Sequence, residues 1–552
     1  MPQKINEVKE KTKRHEGLTD DDLDLLEILS FYQNIVLSLC PYNYVDLFTT
    51  RLNQKDVHPI SQIASSDKLD KLGGLLSVYS EPGIYTEEEI SNYLENLSKA
   101  IQSVGYQNQP VIGFMLRSYN HTIGITYDPK MDSWSLLDIN LWPPQKFNHH
   151  QTKQLARAVY NALNLYRSSS QSYIAFNTQI ITTPNNPKLS QLVGTLIIQK
   201  ENHIITKELS MRTGDATLAY VAANDGHIKE TIALAELGTN FDIPAADGKT
   251  PAYITAQNDH ADVLRVLAEN GANLDLISSD GGSPTFIAAQ LGCAAALEVL
   301  GEYRANLDLM NNEGVPPIYI AAQNGHANAC AVLGKYGADL NVVFDEMTPM
   351  FSAAQYGHAD VINVLAKYGA DVNTPRADGM TPVFSAAYFG HSAAIAALAT
   401  NEANLDLPFN GTTPVFIAAQ EGHAEAIEML ANYGANLNTP WHEELDVTPC
   451  YIAAQNGHID ALKVLVAHDA DFERPNNNGE TPEQVAELNG HDHIVQFFRQ
   501  LRAKTPNPHG FFNQTTAIDQ QKLQSTPPLS KKKEEDEDDT VDDHDKPVDS
   551  PR

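Results

Sequence analysis

His121 and Asp138 are the residues of this sequence whose types and spacing best suit acid–base chemistry. His121 begins the run HTIGITY and Asp138 ends the run DSWSLLD, and the alternation of apolar and polar residues in both runs predicts two strands. If Tyr127 faces Asp132 across a turn at residues 128–131, His121 faces Asp138 directly, and such cross-strand Cβ atoms lie only about 4.5–5.5 Å apart. A carboxylate at that distance orients an imidazole as a general base and stabilises its charged form.

The elements that must position this pair belong to a region without repeats, residues 1–205. Apolar residues recur at helical spacing in three segments, and short alternating runs mark the strands. We expect helices at residues 20–40, 87–104 and 152–166, and strands at residues 110–117, 121–127, 133–138 and 173–177. This mixture predicts an α+β domain. Residues 196–211 are a predicted strand pair that leads into the following region.

The pattern His-x-Ile-x-Ile, a turn and Trp-x-Leu-Leu-Asp-x-Asn at residues 121–140 resembles papain-like cysteine peptidases of the YopT-like kind. It also resembles similar domains in Legionella type IV secretion effectors that carry ankyrin repeats. The resemblance implies a papain-like fold in which His121 and Asp138 serve a cysteine nucleophile at the N-terminus of a helix.

Cys40 is the one cysteine of the N-terminal region and is therefore the candidate nucleophile. It lies at the end of the predicted helix at residues 20–40, where the helix dipole disfavours a thiolate. At the position where the resemblance implies a cysteine, the sequence has Thr19, a good helix cap. Two interpretations stay open. The domain is degenerate, with His121 and Asp138 as a structural pair, or a refolded loop brings Cys40 to them in an active enzyme.

The C-terminal half repeats a Thr-Pro or related step, whose prolines lie 32 to 35 residues apart from Pro251 to Pro482. Thr217 stands one period further upstream, which makes nine units. Gly-His follows most of these steps, and Gly-Ala-Asn or Gly-Ala-Asp comes later in the units. Proline suits the first turn of a helix because its missing N–H would be unpaired there. Glycine commonly ends a helix in the left-handed conformation.

This repeated pattern of Thr-Pro, Gly-His and Gly-Ala-Asn steps resembles the ankyrin family over residues 212–502. The resemblance implies an all-α solenoid of stacked helix pairs with β-turn fingers, such as those at Asp247-Gly248 and Asp378-Gly379, and a role in binding another protein. Where the family carries the His of its TPLH motif, eight units have an aromatic residue, and we interpret these residues as a stacking ladder. They are Tyr220, Tyr253, Phe286, Tyr319, Phe351, Phe384, Phe416 and Tyr451.

The repeat histidines number about one per unit, roughly 10 Å apart if the units stack as helix pairs do. That spacing is too long for a shared metal ion, so we predict hydrogen bonding inside each unit and no metal site. Three aromatic residues, Tyr356, Tyr388 and Phe389, fall where ankyrin proteins present a concave surface, and exposed aromatic side chains make good interface anchors. We expect a polar row to bind the partner beside them: Gln323, Gln355, Gln420 and Gln455.

The composition narrows the function further. The chain carries 38 Lys and Arg against 70 Asp and Glu, a formal charge of -32, which disfavours nucleic acid and favours a protein partner with a basic surface. Four dispersed cysteines give no disulfide framework, and no apolar stretch reaches the roughly 18 residues of a membrane span. We predict a monomer without a cofactor. Residues 503–552 are rich in Pro, Ser and charge and are predicted to be a disordered acidic tail.

The resemblance to type IV secretion effectors implies a bacterial effector that is secreted into the cytoplasm or nucleus of a host cell and holds a host protein in its groove, with a non-catalytic N-terminal domain. The resembled effectors use a glutamate-rich stretch for export, and residues 534–539 are compatible with one. The alternative is a cysteine peptidase or acyltransferase with Cys40, His121 and Asp138 that the repeats target to its substrate. A third hypothesis is an endogenous eukaryotic scaffold, which needs no export signal.

Overall fold

The structure, a computed structural model, describes residues 76–504 with short internal gaps. The gaps are residues 105–111, 119–120, 139–140, 164–172, 183–191, 194, 197–204, 213–215 and 442–444. The predicted helix at residues 20–40 lies outside the described residues, as does the predicted tail beyond residue 504. Within the described part, a sheet with two main helices precedes a stack of helix pairs.

The sheet is antiparallel, with strand order β1-β6-β2-β3-β4-β5. The strands are β1 Leu76–Tyr85, β2 Ile112–Arg117, β3 Thr122–Asp128, β4 Ser133–Asp138, β5 Leu141–Asn148 and β6 Ile174–Thr182. All four predicted strands are present. β1 and β5 were not predicted, because Pro82-Gly83 and Pro143-Pro144 break the usual strand pattern. These two strands form the edges of the sheet, where proline is tolerated.

Two helices cover one face of the sheet. Helix α1, Glu87–Ser103, begins with a capping box between Thr86 and Glu89, and helix α2 spans Thr152–Leu163. The apolar residues of both helices pack on alternate residues of the strands in one core cluster. Trp134 lies in this core and is almost completely buried.

A third, short helix, α3, spans Lys207–Met211 in the segment for which a strand pair was predicted. That prediction is wrong over these residues. The Thr206 side chain accepts a hydrogen bond from the Leu209 backbone N–H and so caps a helix instead.

Nine helix pairs follow in the described residues, and in each unit we call the first helix the inner helix and the second the outer helix. The inner helices are Leu218–Asn224, Pro251–Gln257, Pro284–Leu291, Pro317–Gln323, Pro349–Gln355, Pro382–Tyr388, Pro414–Glu421, Pro449–Asn456 and Pro482–Leu488. The outer helices are Ile228–Glu236, Ala261–Glu269, Ala294–Glu302, Ala327–Lys335, Ala359–Lys367, Ser392–Thr400, Ala424–Asn432, Ile459–Ala467 and Asp492–Lys504. Proline stands at the start of eight inner helices, as predicted.

The cap of the inner helix shows why the sequence folds this way locally. The Thr348 hydroxyl accepts a hydrogen bond from the Phe351 backbone N–H at 3.1 Å, and Pro349 occupies the first helical position. Gly357 then turns the chain at a φ of 76°, in the left-handed region, as predicted from the Gly-His step. The eight aromatic residues of the predicted ladder are all buried, in agreement with a stacking role.

The other face of the sheet covers the first unit. Ile84 and Ala175 of the sheet pack with Leu218 and neighbouring residues of the first inner helix in one apolar cluster. At the border of this cluster, Arg117 Nη1 donates a hydrogen bond to Asp225 Oδ1 at 3.3 Å. The sheet therefore stands where a preceding unit would stand in the stack.

Arg212 links the segment that leads into the repeats to helix α1 of the N-terminal domain. Its guanidinium donates to both carboxylate oxygens of Glu89 in α1, at 2.8 and 2.9 Å, and lies 4.8 Å from the centre of the Tyr173 ring. Burial raises the pKa of Glu89, but the hydrogen bonds from Arg212 and Thr86 outweigh it and leave that pKa below its ordinary value.

Candidate functional site

The groove is the surface between the inner helices and the fingers that project beside them. Tyr356, Tyr388 and Phe389 lie on it at the ends of two adjacent inner helices and are 50%, 43% and 46% exposed. The rings of Tyr388 and Phe389 meet edge to face with their centres 5.0 Å apart. Their mutual packing orders the two rings while leaving much of their surface open to a partner.

The four predicted glutamines lie along the same row but differ in their surroundings. Gln323 Nε2 lies 3.5 Å from the Tyr356 hydroxyl oxygen, so these two side chains meet across neighbouring units. Gln355 is half-buried, and Gln455 is exposed. Gln420 is half-buried and donates to the carboxylate of Glu421 at 3.1 Å.

A pocket of about 310 Å³ opens in the groove at units 6 to 8, and Tyr388 and Gln420 lie in its wall. Two further walls come from finger residues, Phe409 and Trp441, which sequence reasoning did not single out. Each packs on a ladder residue of an inner helix. The ring centres of Phe409 and Phe384 lie 5.2 Å apart, and those of Trp441 and Phe416 lie 6.1 Å apart. The 32-residue spacing of Phe409 and Trp441 was the available signal.

The repeat histidines hold neighbouring units together, which corrects the prediction of hydrogen bonds inside each unit. In seven units the histidine Nε2 donates to a backbone carbonyl oxygen of the preceding unit, at 2.9 to 3.2 Å. In unit 3, Cys293 takes the histidine position, and its Sγ lies 3.5 Å from the Gln257 carbonyl oxygen. In unit 1, His227 Nε2 lies 3.2 Å from Ser80 Oγ of β1. The sheet thus supplies the first contact of this series.

The His121 and Asp138 side chains are in contact at the edge of the core between the sheet and helices α1 and α2. His121 Nε2 lies 3.3 Å from Asp138 Oδ1, and the two side chains are 12% and 0% exposed. Both belong to the face of the sheet that packs on α1 and α2, away from the repeats. The arrangement can orient the imidazole and leave Nδ1 to accept a proton.

The register that brings the pair together differs from the predicted one by two residues. Tyr127 faces Trp134 instead of Asp132, because Asp132 stays in the turn with a φ of 46°. His121 and Asp138 are consequently diagonal neighbours instead of direct partners. Asp132 binds across the turn instead, where its Oδ1 accepts from the Tyr127 hydroxyl at 2.6 Å.

The third member of the predicted site, Cys40, lies outside the described residues. The other three cysteines, Cys293, Cys330 and Cys450, are free and buried. Burial raises the pKa of Cys330 to about 12 and that of Cys450 further still. Neither thiol is suited to nucleophilic chemistry in the folded protein.

No group of three or more His, Cys, Asp or Glu side chains in the described ranges is arranged to hold a metal ion. Among the helices of that part of the chain, none combines the length and the apolar composition that a bilayer crossing requires.

Residues 218–311, 285–376, 373–440 and 441–507 match a family model described as ankyrin repeats (3 copies). Residues 415–466 also match a model described as ankyrin repeats (many copies). Among solved structures, the crystal structure of the human ASB11 ankyrin repeat domain is 28% identical to the chain, with a TM-score of 0.32, over 37% of this chain and 92% of that chain. No curated protein matches the chain.

Proposed function

The chain belongs to the ankyrin-repeat family, because the repeat model matches more than half of its residues, and we propose that it binds a protein partner in its groove. The observation that carries this proposal is the group of three exposed aromatic side chains, Tyr356, Tyr388 and Phe389, on adjacent units. The few residues that carry most of the binding energy in protein interfaces are enriched in large aromatic side chains, which bury a large area when a partner binds.

Affinity capture with the full chain tests this proposal. The full chain is needed because the sheet covers apolar residues of the first unit, which the isolated repeats would expose. We expect the double substitution Tyr388→Ala/Phe389→Ala to weaken partner binding by about tenfold or more, as for interface anchors. A matched control is Tyr303→Ala/Tyr433→Ala, which removes two exposed tyrosines at the ends of outer helices. Equal binding by both double variants would refute the placement of the interface.

We further propose that the partner is a host protein and that the chain is a bacterial effector. The resemblance at residues 121–140 and the acidic run at residues 534–539 support this origin. In a translocation assay with a fused reporter, deletion of residues 531–552 should abolish transfer through a Legionella type IV secretion machine. Deletion of residues 506–527 removes the same length of chain and should leave transfer intact. Equal transfer of the two deletions would refute a signal in the last residues.

A cysteine peptidase or acyltransferase is the second candidate function, and the contact between His121 Nε2 and Asp138 Oδ1 favours it. Helix α1 is followed by strands β2 to β5 of the antiparallel sheet, and these two residues lie on or beside neighbouring strands, which also supports a papain-like domain. In this mechanism the Cys40 thiol gives its proton to His121, and its sulfur attacks a carbonyl carbon. The proton passes to the leaving group, and water or an acceptor nucleophile then cleaves the thioester.

Alkylation of Cys40 by iodoacetamide distinguishes an activated thiol from an ordinary one. An active enzyme should react rapidly near pH 6, with loss of that reactivity in His121→Ala, because a thiolate paired with imidazolium forms well below the usual pKa of about 8.5. A rate that follows an ordinary thiol, and that is unchanged in His121→Ala, would contradict the enzyme and leave the N-terminal domain as a non-catalytic one. The proposal of partner binding in the groove would be unaffected.

A further inference from the structure

The pocket at units 6 to 8 has an apolar interior and an aromatic entrance. Phe384 and Phe416 are buried at its base, and Phe409 and Trp441 of the fingers stand beside them. Tyr388, 43% exposed, lies at the rim. A pocket of this kind removes one bulky side chain from water, and its volume of about 310 Å³ is small for an extended ligand.

The lining residues decide the chemistry of the side chain that fits. Besides the five aromatic residues, they are Met380, Ile417, Ile452, Asn410, Thr412 and Gln420. None of these carries a charge, so an ammonium or carboxylate group inside the pocket would lose its hydration without gaining a charged partner. An aromatic or large aliphatic side chain gains from contact with the same walls. The pocket therefore selects an apolar anchor.

The stretch of sequence that supplies the pocket is strongly acidic, and Arg474, the basic residue next to its last finger, is paired with Asp446. Between Lys335 and Lys463 the sequence has 15 Asp and Glu residues but only two basic residues, Lys367 and Arg376. Arg376 is already paired with a carboxylate of its own finger, and Lys367 lies over the Tyr368 ring at the end of an outer helix. Glu421, which is exposed, directly follows the lining residue Gln420. Positive charges on either side of the anchor complement this environment.

We propose that the pocket receives one aromatic or large aliphatic side chain from an extended partner segment in which Lys or Arg flanks that residue. The proposal rests on partner binding in the groove and specifies the chemistry of the bound segment. The apolar anchor fixes the position of the segment, and its basic neighbours face carboxylates such as Glu421.

Selection from a library of random 12-residue peptides displayed on phage, with the full chain as bait, tests the proposal. We expect the enriched peptides to combine one aromatic or large aliphatic residue with at least two Lys or Arg. Binding of a selected peptide should weaken about tenfold in Gln420→Trp, whose indole fills the pocket, and severalfold in Glu421→Lys. Gln290→Trp is the matched control, because Gln290 occupies the same position in unit 3 but does not line the pocket. Far-UV circular dichroism and thermal midpoints equal to those of the wild type establish that each variant is folded.

The outcomes separate this proposal from the broader one. The proposal for the pocket would be refuted by peptides that lack the basic residues, by peptides that carry basic residues without an apolar anchor, or by equal binding to Gln420→Trp and Gln290→Trp. If such peptides still lose binding to Tyr388→Ala/Phe389→Ala, partner binding in the groove is supported and only the proposal for the pocket is refuted. If the selected peptides bind every groove variant like the wild type, both proposals fail.

Discussion

Substitution of Gly325 by alanine tests how neighbouring units of the solenoid hold together. Gly325 has a φ of 75°, and a methyl group built there would lie 2.8 Å from the Cε1 and Nδ1 atoms of His358 in the next unit. The His358 ring cannot retreat freely, because its Nε2 donates to the Gln323 carbonyl oxygen at 2.9 Å. Gly325→Ala therefore strains the backbone and also disrupts a contact between units.

The two costs can be estimated separately. A left-handed φ costs an alanine about 1 kcal/mol relative to glycine. Displacing His358 forfeits a hydrogen bond worth about 1 kcal/mol and leaves a carbonyl group poorly paired, for a further cost of about 1 kcal/mol. We expect Gly325→Ala to lower the free energy of unfolding by about 3 kcal/mol. Gly337 in the same unit has a φ of 85° but no atom within 4 Å of the built methyl group, so Gly337→Ala should cost only about 1 kcal/mol.

Urea unfolding of the full chain, followed by far-UV circular dichroism, gives both values. The double variant Gly325→Ala/His358→Ala should lose less stability than the two single losses added together, because the clash disappears with the ring. Equal losses for Gly325→Ala and Gly337→Ala, or additive losses in the double variant, would refute a role for the glycine–histidine contact.

Three further predictions concern other contacts. Arg212→Leu should lower the free energy of unfolding in urea by about 1.5 kcal/mol, a modest loss because the Glu89 carboxylate is partly exposed. The same substitution should lower it much less when Glu89→Gln is already present. Burial lowers the pKa of His260, so the folded protein disfavours its protonation. Its contribution to stability should be complete above about pH 6.5 and lost as the pH falls, and His260→Gln should flatten urea midpoints measured between pH 7.5 and 5.5. Cys330 and Cys450 should not react with an aromatic disulfide reagent at pH 8 until guanidinium unfolds the protein, and rapid reaction of the native chain would contradict their burial.

The repeats were predictable from the sequence because each unit carries its own local signals. Thr348 and Pro349 specify a helix start by backbone chemistry alone, and Gly357 specifies the end. The histidine contacts were assigned to the wrong place because their acceptors are backbone carbonyls of the preceding unit. A backbone carbonyl has no side-chain signature, so the sequence of one unit does not identify it as the partner.

The candidate pair was predictable as a contact but not in its register. A slip of two residues leaves every side chain on the same face of the sheet, so the alternation around His121 and Asp138 fits either pairing. The left-handed conformation of Asp132 decided the outcome, and only the folded turn reveals it. The pocket was missed for a related reason, since Phe409 and Trp441 acquire their role from tertiary packing between fingers and inner helices.

The sheet that covers the first unit also bears on how the chain is made. A ribosome releases the residues of β1 and β6 before those of the first inner helix, so the sheet that carries Ile84 and Ala175 has all its residues available before Leu218 emerges. Each later unit can then pack on a preceding unit that is already folded, and its histidine can donate to a backbone carbonyl group of that unit. Assembly can thus proceed in the direction of synthesis, one unit at a time, with the N-terminal sheet as its template.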